Sequence, residues 1–193
     1  MKKRNWKIRI PVLLLFLGLS GMVMLSIYSL SSEDGQQSSV RSETVTETIK
    51  EEVNTKLNEK GLRLVDKIKY YVILKSPYGS DWNLNIRKLA HFSIYFALGS
   101  MVYISFAILG VNKTLRFLLA VFLCFLFAIA DEYHQSFTAG RVMAKLDVFI
   151  DTAGAFSAAS LLTVVSWVFC GIRYGVNKMY DDKKESKVTL ESR

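Results

Sequence analysis

Four apolar runs, residues 10–30, 89–111, 115–130 and 148–172, constrain what this chain can fold into. Crossing ~30 Å of hydrocarbon takes about 20 helical residues at ~1.5 Å each. Inside hydrocarbon the backbone must bond to itself, so such runs read as membrane-spanning helices. The third run reaches that length if its helix passes Asp131 and continues to Gln135. The expected fold class is an all-α membrane protein with about four transmembrane helices. The first run also follows a basic start, as a signal peptide would, but it is longer than the ~7–15 residues of a signal core. It is expected to be retained as an anchor.

The hydrophobic fraction is 51% and the formal net charge +8. The basic residues do not form one patch. Lys2, Lys3, Arg4, Lys7 and Arg9 precede the first run, and Arg173, Lys178, Lys183, Lys184 and Lys187 follow the last. Basic flanks orient spans with their positive ends in the cytoplasm, so both termini are expected inside. No base-stacking or groove-reading motif accompanies the charge, and no nucleic-acid partner is expected. Cys124 and Cys170 both lie within apolar runs, without metal spacing, and read as packing residues.

Between the first two runs, residues 31–86 form a polar segment expected on the external side. Its start, residues 31–39, has loop composition. Val45, Ile49, Val53 and Leu57 then recur at i+4 among charges, the pattern of an amphipathic helix. A second short helix is expected around Leu64 to Val72, ending before Pro77, and residues 78–83 read as a turn with an interfacial aromatic. The turn between the second and third runs is expected at residues 112–114. The chain thus divides into 1–30 (basic start and first span), 31–86 (external segment), 87–172 (three-helix membrane domain) and 173–193 (cytoplasmic tail).

The unusual chemistry lies at the ends of these runs. Arg87, Lys88 and His91 stand at the start of the second, Asp131, Glu132, His134 and Gln135 at the end of the third, and Arg141, Asp147 and Asp151 lead into the fourth. Ionisable groups near hydrocarbon are costly and usually face a protein interior or a water-filled cavity. The expected topology puts all of them on the external side. Spacing also gives each helix one face: His91, Tyr95 and Gly99; Ala128, Asp131 and Gln135; and Asp147, Asp151, Gly154 and Ala158. The last face continues in small residues, which permit close helix approach. Purely structural ion pairing would account for any one of these charges, but not easily for two imidazoles in the same group.

The stretch Arg87-Lys88-Leu89-Ala90-His91-Phe92-Ser93-Ile94-Tyr95, continuing to Gly99, resembles the first signature of the VanZ-like membrane proteins. Asp131-Glu132-Tyr133-His134-Gln135, Gly140-Arg141, then Asp147 and Asp151-Thr152-Ala153-Gly154 resemble the second. The likeness covers about residues 84–159. Two positions depart from the family pattern: Ile94 stands where many members carry a glutamate, and Asp151 where an asparagine is common. The resemblance implies a multi-pass protein of a bacterial plasma membrane, largely of Gram-positive cells, and a link to low-level resistance against teicoplanin-type glycopeptides.

The sequence therefore points to a ligand site made of Arg87, Lys88, His91, Tyr95, Asp131, Glu132, His134, Gln135, Arg141, Asp147 and Asp151. The cations would engage phosphate or carboxylate. The expected partner is a membrane lipid, a lipid-linked cell-wall precursor or the glycopeptide itself, with room for a homo-oligomer. No metal or other cofactor is expected, and the reading leans away from an enzyme. An intramembrane enzyme acting on a lipid-linked phosphate or ester, using the histidines and carboxylates, is the first alternative. A small lipid transporter is the second.

Overall fold

The computed structural model describes residues 6–60 and 82–191. They form α1 (Trp6–Ser31), α2 (Gly35–Lys60), α3 (Trp82–Leu109), α4 (Lys113–Gln135) and α5 (Lys145–Glu191). Helices α1, α3, α4 and α5 are each long and apolar enough to cross a membrane. The chain is thus all-α with four candidate spans, as its apolar runs require. The short helix expected near Leu64 and most of the turn at residues 78–83 lie outside the described residues.

Long-range contacts fix the helix directions. Arg9 at the start of α1 donates from Nη1 to the Ile108 carbonyl at the end of α3 (2.9 Å), so these helices are antiparallel. Lys88 pairs with Asp147, His91 with Asp151, and Tyr103 with Thr163, in step along α3 and α5. Those two helices therefore run parallel. Helix α4 returns between them, with Lys113 at its start donating to the Ser166 carbonyl at 3.1 Å.

Glycine and alanine bring α3 and α5 into backbone contact. A Cβ added to Gly154 would lie 2.3 Å from the Phe92 carbonyl oxygen, and one on Gly99 would lie 2.8 Å from Ala155 Cα. Ala155, Ala158 and Ala159 are fully buried. Lipid tails are as apolar as leucine, so helices in a bilayer gain from such close packing rather than from expelling water.

Several boundaries differ from the sequence expectation. The α3–α4 turn falls at residues 110–112, where Gly110 takes φ +84° and ends α3 in the left-handed conformation that glycine adopts freely. Asn112 caps α4, its side chain accepting from the Leu115 N–H at 2.8 Å, so Lys113 and Thr114 already belong to the helix. Helix α3 begins at Trp82, which places Arg87 and Lys88 on the helix rather than before it. Helix α5 runs past residue 172 to Glu191, because no proline or cap stops it where the apolar run ends.

The largest correction concerns α2. Of residues 31–39 only 32–34 connect the helices: Asp34 Oδ1 accepts from the Gln37 N–H at 2.7 Å and starts α2 at Gly35. The most deeply buried position is not on the apolar stripe: Val45 and Ile49 are 44% and 36% exposed, whereas Thr46 is 3% exposed. Residues Ser38, Ser42 and Thr46 form the inner side. Ser42 and Thr46 hydroxyls bond back to carbonyls one turn earlier, to Ser38 (3.0 Å) and Ser42 (2.7 Å), so small polar side chains are buried without losing partners.

The start of α2 is tied to the loop between α4 and α5. The Gly35 N–H donates to the Ala139 carbonyl at 3.0 Å. A Cβ on Gly35 would meet the Gly140 carbonyl oxygen at 2.6 Å, and Gly140 itself has φ +73°. Gly35→Val is expected to undock α2 at a cost of about 1–3 kcal/mol, the usual range for overpacking. Limited proteolysis should then cut near residues 32–40 faster than in the wild type; an unchanged rate would show that this contact does not hold α2.

Candidate functional site

All the polar residues singled out in the sequence gather where α1 ends and where α3 and α5 begin. Asp131, Glu132, Gln135, Asp147 and Asp151 are buried, and Tyr95 is fully so. The helical faces account for this. Ala128, Asp131 and Gln135 lie on the buried side of α4, and Asp147, Asp151 and Gly154 on the side of α5 that meets α3.

The charges divide into inner pairs and an outer cavity. Lys88 Nζ is paired with Asp147, with both side chains largely buried. His91 Nδ1 lies 3.2 Å from Asp151 Oδ1. Gln135 donates from Nε2 to Asp131 Oδ2 at 3.1 Å. Glu132 Oε2 accepts from the Ala144 N–H at 2.8 Å, which pins the α4–α5 loop and gives this carboxylate a structural task. Tyr95 Oη, Glu132 Oε1 and Asp151 Oδ2 are buried with no hydrogen-bond partner among the described residues.

Outside these pairs is a cavity of about 210 Å³ between α1, α2, α3 and α4. Three arginines from separate parts of the chain line it: Arg41 of α2, Arg87 of α3 and Arg141 of the α4–α5 loop. His91, Tyr95, Asp131 and Gln135 reach the same space, and Ile27, Val45, Ile86 and Ile94 supply an apolar wall. Arg41 is paired with Glu33 at 2.5 Å. Arg141 donates from Nη2 to the Leu30 carbonyl at 3.3 Å. Burial lowers the Arg141 pKa from its ordinary value, and the Arg87 cation pushes the same way, against Glu33, Asp131 and Glu132. Like charges held near one another favour the arrival of an anion.

A second cavity of about 260 Å³ lies beside the first, with Lys88, Ala144 and Asp147 on its wall. Two residues expected in the ligand site do not line the first cavity. His134 packs its ring on Tyr28 of α1, with centroids 4.5 Å apart, and does not line the described cavities. Lys88 is engaged by Asp147 and lines only the second cavity. Arg41 takes the third cationic place in the first. It lies one turn before Val45, so extending that stripe backwards by four residues would have found it. No group of three or more His, Cys, Asp or Glu side chains among the described residues is placed to hold a metal ion.

The sequence model of the VanZ/LLP1 family matches residues 16–166, from within α1 to well inside α5. No curated protein and no solved structure matches the chain.

Proposed function

The chain belongs to the VanZ/LLP1 family, and from that premise we propose that it is a non-enzymatic envelope protein that binds an anionic amphiphile in the arginine-lined cavity and so lowers glycopeptide susceptibility. The cavity faces the outside of a bacterial plasma membrane in this reading, with both termini in the cytoplasm. Its occupant is a membrane lipid, a lipid-linked cell-wall precursor or a teicoplanin-type drug, all of which combine an apolar chain with anionic groups. One observation carries the proposal: Arg41, Arg87 and Arg141 converge on a space whose remaining wall is largely apolar. Guanidinium groups suit phosphate and carboxylate oxygens, and apolar walls with a few convergent polar groups are the common form of ligand sites.

Substitution tests this directly. Arg87→Ala is expected to return teicoplanin susceptibility to that of cells lacking the protein, while the amount of protein in the membrane stays constant. Unchanged susceptibility in Arg87→Ala and Arg141→Lys cells would rule the proposal out. A second reading, hydrolysis of a lipid-linked phosphate, draws support from the His91–Asp151 pair at the cavity wall, since a carboxylate-oriented imidazole is a common general base. Phosphate release from a polyprenyl diphosphate by the wild type, lost in His91→Gln with binding retained, would favour that reading instead.

A further inference from the structure

Arg87, Gln135 and Arg141 line both cavities. They form a neck between two spaces of different chemistry. On the α1 side the wall includes Ile27, Ile86, Ala90 and Ile94. On the loop side it includes Lys88, Asp147 and the backbone around Gly35 and Gly140. Pockets for drug-sized ligands run to ~300–1,000 Å³. Each cavity alone falls short at about 210 and 260 Å³, whereas the two joined reach that range.

The neck has donors to offer. Arg141 donates to a main-chain carbonyl, and its Nε has no hydrogen-bond partner among the described residues. Gln135 Nε2 gives one proton to Asp131, and an amide nitrogen carries two. Ala90 is exposed on the wall of the apolar cavity, which leaves a chain bound there an outlet towards surrounding lipid.

We propose that the neck holds the phosphate of a lipid in which a phosphate diester or diphosphate joins an apolar chain to a polar headgroup. The chain lies in the α1-side cavity and the headgroup in the loop-side cavity. This rests on the anionic-amphiphile reading above and adds the placement of each part of the ligand.

The test uses the full chain purified in detergent and three probes: phosphatidylglycerol, a polyprenyl diphosphate carrying a sugar, and a polyprenyl monophosphate that has no headgroup. Binding is read by native mass spectrometry. Arg87→Ala should weaken all three at least about ten-fold, as expected when a charge-assisted hydrogen bond is lost. Ala90→Trp, which fills the apolar cavity, should also weaken all three. Val142→Trp fills the loop-side cavity at an 86% exposed position. It should weaken the two headgroup-bearing lipids and leave the monophosphate unchanged; Val142→Glu provides an independent variant at the same wall. Whichever headgroup-bearing probe binds more tightly identifies the source of the ligand. Should both Val142 variants act equally on all three probes, or on none, while Arg87→Ala still weakens them, the two-cavity placement fails and the binding site stands. If the wild type binds none of the probes, both fail.

Discussion

Gly154→Leu is expected to abolish accumulation of folded protein in the membrane, while Gly18→Leu in α1 leaves it unchanged. The two glycines have the same chemistry and opposite surroundings. A Cβ on Gly154 would sit 2.3 Å from the Phe92 carbonyl oxygen and 3.1 Å from the Phe96 nitrogen, whereas one on Gly18 meets nothing within 4 Å. The obstacle at Gly154 is backbone, which cannot rotate away. Even Gly154→Ala should cost about 3 kcal/mol, the upper end of overpacking effects. The loss reaches the polar site, because separating α3 from α5 also pulls His91 from Asp151 and Lys88 from Asp147. Membrane-fraction immunoblots and thermal melting in detergent measure both variants. Wild-type accumulation of Gly154→Leu would mean that α3 and α5 do not pack through this contact.

Asp147→Ala should destabilise the protein by about 3–5 kcal/mol, because it breaks a buried ion pair by removing one partner, Lys88 keeping its charge. The side chains of this pair are 14% and 4% exposed, so water cannot readily replace the lost partner. The double variant Lys88→Met with Asp147→Leu should recover most of the loss, since apolar replacement of a whole buried pair is often neutral or stabilising. Melting temperatures of the two single variants and the double variant give the coupling energy. A double variant as unstable as Asp147→Ala would show that Asp147 has another partner.

What could be read in advance depended on periodic chemistry. On α4 the residues Ala128, Asp131 and Gln135 share a face by spacing alone, and they are buried together. The small-residue face of α5 was equally plain, because glycine and alanine at helical intervals in an apolar run have few other uses. Residues with two credible environments were harder. Val111 looked like the end of a span, yet Gly110 had already turned the chain. In α2 the valine and isoleucine stripe outweighed the hydroxyl residues by hydrophobicity, but Ser42 and Thr46 satisfy their own hydroxyls and approach more closely. His134 belongs to the polar cluster that ends the third run, but its ring turns to Tyr28. Ile94, at the position where a glutamate is common in the family, contributes apolar wall to the cavity and packs against the core.

The pairing of Lys88 with Asp147 spans 59 residues of chain, and this bears on how the protein is made. Helix α3 leaves the ribosome carrying Lys88 before its Asp147 partner has been synthesised. Helix α4 follows with Asp131 and Glu132, and α5 brings Asp147 and Asp151 last. Helix α3 thus enters the bilayer with Lys88 and His91, which α5 pairs only later, at a cost that shrinks near the interface. Insertion and assembly are therefore separate events here, and the second cannot finish until α5 has been translated. A chain halted before residue 145 would present Lys88 to the membrane without its Asp147 pair, and α3 without the helix it packs against.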